Sequence, residues 1–170
     1  GAAAKANECT NVYADFEDAM LQVAATMGIT QEEIAAGSDA YEKLTKAAKE
    51  AGASTRYTAS EAGAALNYLA LAGYNAEKAV ETLPKVLDLA AAGGMDLATA
   101  SDLVTDAMSA LQMGTEELDV FVNQMARTAQ KSNTSVQQLG EAILVCAGTA
   151  TSTGQEVTTL NTALGILADN

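Results

Sequence analysis

Carboxylates are the groups in this chain best placed to do acid–base chemistry. They occur as Glu32–Glu33, as Glu116–Glu117 and as the group Asp15, Glu17 and Asp18. Two acids facing each other across a cleft, one with a raised pKa, can cleave a glycosidic bond. Adjacent acids on a helix point in different directions, however, and Glu116–Glu117 better suits the positive end of a helix dipole. No other residues complete a catalytic set. The chain has no histidine, which removes the commonest general base, the commonest zinc ligand and every Ser-His or Cys-His nucleophile arrangement. The cysteines, Cys9 and Cys146, share no metal or redox spacing and read as reduced. Cys146 lies within Ile143 to Ala147, where a small buried hydrophobe is the default reading. Neither GxxxxGK[ST] nor GxGxxG occurs, and Gly93–Gly94 reads as a helix stop. Met95, Met108, Met113 and Met125 fall at helical spacing and read as core fillers. Asn133-Thr134-Ser135 matches a glycosylation sequon, for which helix capping is a sufficient reading. The expectation is no catalytic, cofactor-binding or metal-ligating residue, no cofactor, and no enzyme.

Composition agrees with a packed but chemically quiet chain. At 170 residues it suits one domain, and a fold of that size buries roughly 70% of its unfolded surface. Hydrophobic residues make up 49% and aromatics 4%, with no Trp, so the core must be Ala, Leu, Val and Met in closely packed helices. The net charge of -13, from 22 acids and 9 bases, repels phosphate and argues against binding of nucleic acid or an anionic membrane. The bases gather at Lys43, Lys46, Lys49 and Arg56, and none follows Lys131. The C-terminal stretch is polar but nearly uncharged, with Ser132, Asn133, Thr134, Ser135, Gln137, Gln138, Thr149, Thr151, Ser152 and Thr153. Neutral polar groups desolvate at lower cost than charges, so protein contacts are expected there, an ordinary solvated face being the alternative. The chain opens on no signal-peptide pattern, and the apolar runs around Ala142 to Ala150 and Leu87 to Ala92 are too short to span a bilayer.

The elements follow from a beat. Gly73, Gly94, Gly114, Asn133 and Gly154 recur at intervals of 21, 20, 19 and 21 residues, each after an apolar 3.6-spaced run, as left-handed helix stops would. Each interval then holds one helix and one turn, and such units must stack on neighbours. Upstream, Val12, Phe16, Met20, Val23 and Met27 mark a helix ended by Gly28, and a second helix from about Gln31 to Ala51 has a break available at Gly37–Ser38 and a stop at Gly52. Capping boxes are expected at Thr58–Glu61, Thr134–Gln137 and Thr153–Glu156, and N-caps at Asn75, Asp96 and Thr115. Pro84 should kink or split its helix. Val136, Leu139 and Ile143, then Val157, Leu160, Leu164 and Leu167, form buried stripes. The expected fold is all-α, a compact multi-helix domain of seven to eight short helices with no strand, stacked as antiparallel units of about 20 residues. Residues 1–56 form an N-terminal segment of two helices, and residues 57–170 a repeat-like core of the same domain.

In this setting several stretches together resemble the core region of the phage tail tape measure protein family, which sets tail length in long-tailed bacteriophages and prophages. They are residues 16–20, 57–61, 69–77, 83–90, 95–102, 131–135 and 164–170. The resemblance stops abruptly at Asn170, so the chain is expected to be a fragment of a much longer protein. Cys146 to Gly154 is more polar than the family's Ala-rich run there, which leaves the packing partner of that helix open. The resemblance implies a non-catalytic virion structural protein, present in several copies per tail, that acts in tail assembly and tail length determination. Implied partners are tail tube, tail assembly chaperone and baseplate proteins. It implies a place in the virion tail, and in the host bacterial cytoplasm during assembly, with no direct DNA binding and no membrane span in this region. A helical adaptor or chaperone-like binding domain without a virion role is the alternative. As one helix, 170 residues would extend about 255 Å, whereas a compact domain has a radius of gyration near about 15 Å. The repeated stops favour the compact form, with the measuring rod in other parts of the full protein.

Overall fold

The computed structural model describes residues 2–169, with side chains from residue 11 onward. Its described residues form nine helices: α1 (Ala2–Met27), α2 (Gln31–Ala35), α3 (Asp39–Ser54), α4 (Ala59–Leu71), α5 (Ala76–Gly93), α6 (Leu97–Ala110), α7 (Thr115–Lys131), α8 (Val136–Thr153) and α9 (Val157–Ala168). The fold is all-α as expected, with no strand among those residues. The short α2 takes the number past eight, because the available break at Gly37–Ser38 is used. Gly37 is left-handed at φ 83°, and Ser38 caps α3.

Helix ends show which sequence marks are true stops. After α1, α4, α5 and α8 a glycine turns left-handed at Gly28, Gly73, Gly94 and Gly154. The next residue's N–H then returns to the carbonyl five residues back, as in Ile29 to Ala24 at 2.8 Å, Tyr74 to Leu69 at 3.1 Å and Gln155 to Ala150 at 2.9 Å. That pattern satisfies carbonyls the helix would otherwise orphan. Two marks of the beat behave differently. Gly114 has φ −82° and is the N-cap of α7, while the left-handed residue ending α6 is Gln112, at φ 54°. Met113 N–H still closes on Met108 O at 3.0 Å, so the motif forms without its usual glycine. Asn133 is not left-handed either: α7 ends at Ser132 in an extended conformation. Gly52 is no stop but lies inside α3, where a Cβ would stand 2.6 Å from the backbone N of Ala59. Pro84 does not split α5, which runs unbroken from Ala76 to Gly93.

Caps obey the same local chemistry with some shifts of register. Thr58 and Glu61 form the expected box, and Asp96 and Asn75 accept the N–H groups of Thr99 and Lys78, each at 2.9 Å. The box at α8 uses Ser135 and Gln138 rather than Thr134 and Gln137. At α7 Thr115 is the first helical residue, and Glu117 takes the N–H of Gly114 at 2.8 Å. Thr153 ends α8 and forms no box; Glu156 precedes α9 without a side-chain cap. Thr30 and Glu33 form a further box that sequence reading passed over.

The helices gather in two compact units, Gly1–Pro84 and Lys85–Asn170, with the division inside α5. In the first, α1 and α4 pack closely and α3 packs on α4. A Cβ on Gly63 would stand 3.2 Å from Ala19 Cβ, and the Thr26 hydroxyl lies 2.7 Å from the side-chain amide of Asn67. Both pairs follow the same order along the chain, so α1 and α4 run in the same direction. The core there includes Met20, Val23, Leu44, Leu66 and Leu69; Phe16 is nearly buried, Met27 half-buried and Val12 exposed.

The second unit repeats the device. Helix α6 lies against α8, and α7 against α9. Leu103 meets Gly140 and the Thr151 hydroxyl donates to Ala110 O at 3.3 Å, in the same order on both helices. Gln124 donates to Thr158 Oγ1 at 2.8 Å, Thr128 meets Gly165, and the Asn133 N–H reaches Asp169 Oδ1 at 3.1 Å. Helices α8 and α9 therefore each lie parallel to the helix two places earlier. Close approach needs glycine at the crossings, since a Cβ on Gly140 would stand 2.6 Å from both Leu103 methyl carbons. The core is Leu103, Val104, Leu118, Phe121, Met125, Leu139 and Ile143, with Met108 in it and Met95 and Met113 half-buried.

Candidate interaction surface

Charge and polarity that looked available in the sequence are largely engaged. Of the early basic group, Lys43 pairs with Glu77 at 3.4 Å and Lys46 with Glu50 at 3.8 Å. Lys49 lies over the Phe16 ring at 5.5 Å, and Arg56 over Tyr57 at 5.0 Å. Exposed pairs of this kind add little stability, but they leave no concentrated positive face among the described residues. The Lys43–Glu77, Lys85–Asp119 and Gln124–Thr158 bridges each join residues 34 apart, and so mark next-but-one helices with one register.

The neutral polar residues fall into two separate groups. Ser132 to Gln138 surround the turn before α8, whereas Thr149 to Thr153 lie on its last turn, about 20 Å further along the axis at 1.5 Å per residue. They do not make a single face. Many of their hydroxyls also serve the backbone: Ser132 donates to Thr128 O at 2.6 Å, Ser152 to Thr149 O at 2.9 Å and Thr153 to Thr149 O at 2.8 Å. The Asn133 to Ser135 sequon lies in this first turn, where Ser135 accepts from Gln138 N–H.

The acids likewise serve helix ends. Glu33 and Asp96 are held below the usual carboxylate range, each chiefly by a backbone N–H, from Thr30 and Thr99 respectively. Both are fully exposed, so these are capping effects rather than signs of an enclosed acid. Glu117 caps Gly114, and Glu116 stands in the same first turn. No group of three or more Cys, Asp or Glu among the described residues could hold a metal ion. Cys146 is free and half-buried rather than fully buried; the side chain of Cys9 lies outside the described residues. Among the described residues no helix is long and apolar enough to cross a membrane.

The second unit has a groove of about 610 Å³ between the N-terminal turns of α7 and α9. Phe121 forms its buried floor and Val120, 57% exposed, stands at its edge with Met113 and Val157. Glu116, Glu117 and Glu156 make an acidic margin. Such a groove offers apolar contact with a negative border, the composition of a protein-contact surface. Helix α9 itself departs from expectation. Its buried residues are Asn161 and Gly165, while Val157, Leu160 and Leu164 are half-buried and Leu167 is 71% exposed. The apolar stripe points away from α7, because a close parallel crossing requires Gly165 against Thr128.

Comparison with known proteins identifies the family. A family model described as phage-related minor tail protein matches residues 45–170. The tape measure protein of Pneumococcus phage Dp-1 is 29% identical over 155 residues, covering 91% of this chain and 13% of that protein. The chain therefore spans about an eighth of the length of this curated relative. No solved structure matches.

Proposed function

Because the chain belongs to the phage-related minor tail protein family, we propose that it is the helical core region of a tape measure protein, acting in tail assembly and tail length determination without catalysis. The carrying observation is the similarity to a tape measure protein across 91% of the chain. The capped, stacked helices support a scaffold role: each acid with a displaced pKa is committed to a helix N-terminus, where it stabilises structure instead of moving protons. On this reading the chain is present in several copies per tail. It is made in the host cytoplasm and kept in the virion tail, and it contacts tail tube, tail assembly chaperone and baseplate proteins. The division into residues 1–56 and 57–170 of one domain is part of the same proposal.

This region docks to partners, and the rod that measures length lies elsewhere in the protein. In-frame deletions within Asn75 to Asn170 of the full-length protein test it, with tail lengths read by electron microscopy. Loss of assembled tails is expected. Intact tails shortened smoothly by about 1.5 Å per residue removed would show instead that this region is itself the ruler.

A further inference from the structure

Helix α8 turns one face to α6, marked by Gly140 and Thr151. At 3.6 residues per turn the opposite face carries Gln138, Ala142, Val145, Thr149 and Thr153, with Cys146 at its edge. Val145 on that face is 85% exposed, Thr149 is exposed, and Ala142 and Cys146 are half-buried. Helix α9 packs beside α8 and leaves Leu160, Leu164 and Leu167 on the side away from α7. The surface where the two helices meet, the α8–α9 groove, has small and polar side chains on its α8 side and leucines on its α9 side. An amphipathic helix aims its apolar stripe at whatever it packs against, and the stripe of α9 aims at this groove.

Within this unit α8 lies parallel on α6 and α9 lies parallel on α7. The groove is the position that the same rule assigns to the helix two places beyond α8. Its apolar part, Ala142 and Val145 on α8 beside Leu160, Leu164 and Leu167 on α9, has the composition of an inter-helix stripe. The curated relative is far longer than this chain, which covers 13% of it. We infer that the groove between α8 and α9 is the seat of a further helix, parallel to α8, supplied by the segment of the full-length protein that follows residue 170. The occupant carries an apolar stripe against Leu160, Leu164 and Leu167 and a polar outer face. This inference rests on the packing rule of the second unit and on the greater length of the tape measure relative.

Cys146 reports on the groove, because a helix seated there covers its thiol. Modification by a water-soluble maleimide, read by mass spectrometry on the Cys146 peptide, is compared between residues 1–170 and the full-length protein. At least tenfold slower reaction in the full-length protein is expected. In that protein Leu167→Glu should restore fast modification, whereas Leu71→Glu, at an exposed position of α4 in the first unit, should not. Equal rates in the two chains, or no response to Leu167→Glu in the full-length protein, would overturn the inference. So would concentration-dependent protection in residues 1–170 alone, which would make a second copy the occupant. Comparing the two leucine variants within the full-length protein keeps the test decisive if the shorter chain does not fold.

Discussion

A single residue, Gln112, carries the least expected conformation in the molecule. It ends α6 left-handed at φ 54°, a region that costs a side chain with a Cβ about 1–2 kcal/mol. The surrounding motif holds it there, because Met113 N–H and Leu111 N–H both return to α6 carbonyls. Gln112→Gly should therefore stabilise the protein by about 0.5–1 kcal/mol, part of the gain being offset by the greater freedom of glycine in the unfolded chain. The readout is the thermal midpoint by circular dichroism, and a midpoint that falls would show that Gln112 makes a compensating contact. This residue also explains one failure of sequence reading. Glycine is a good marker of left-handed stops where it occurs, as at Gly28, Gly73, Gly94 and Gly154, but the motif does not require it. A residue-type beat therefore assigned the stop to Gly114, two positions away, where the glycine is an N-cap instead.

Elements were more legible than their ends, because amphipathic periodicity runs over many residues and a cap depends on one. Val136, Leu139 and Ile143 are buried as the spacing requires, yet Ser135 rather than Thr134 caps their helix, since adjacent hydroxyls offer the same chemistry one register apart. The α9 stripe was legible as apolar but not in its aim, which depends on neighbours along the fold. Nor could sequence tell a glycine that stops a helix from one that lets two helices touch. Even among glycines inside one helix, Gly140 and Gly148 of α8, only one marks a contact. A Cβ on Gly140 meets both Leu103 methyls at 2.6 Å, while one on Gly148 meets nothing within 4 Å. Gly140→Ala should destabilise by about 1–3 kcal/mol, because the α6–α8 crossing must open. Gly148→Ala should stabilise by about 0.5–1 kcal/mol through helix propensity alone. Denaturant unfolding of both variants checks the pair, and similar shifts of one sign would mean that α8 does not cross α6 at Gly140.

At the scale of the second unit, direction is the organising quantity. Next-but-one helices run parallel, so the structural repeat is two helices, although the sequence beat of about 20 residues is one. The candidate contact surface was hardest to foresee for the same reason. Polar residues close together in the C-terminal sequence are divided between opposite ends of α8, whereas the groove at the α7 and α9 N-termini joins Val120 and Val157 from distant parts of the chain. A repeat of two helices makes a sharp prediction about insertions. A tandem copy of residues 115–156, placed after Glu156, adds α7 and α8 with their connections and leaves every later helix pointing as before. Stacked repeats contribute mainly through nearest-neighbour interfaces, so this insertion should preserve cooperative unfolding and shift the midpoint by no more than about 5 °C. A tandem copy of residues 136–156 at the same place adds one helix and puts a copy of α8, not α7, two places before α9. That insertion breaks the Gln124–Thr158 and Asn133–Asp169 bonds and presents Gly165 to the wrong neighbour. It should lower the midpoint by about 10 °C or more, or remove cooperativity altogether. Circular dichroism melts of the two insertions decide the matter, and equal tolerance of both would mean that α9 is not held by direction against α7.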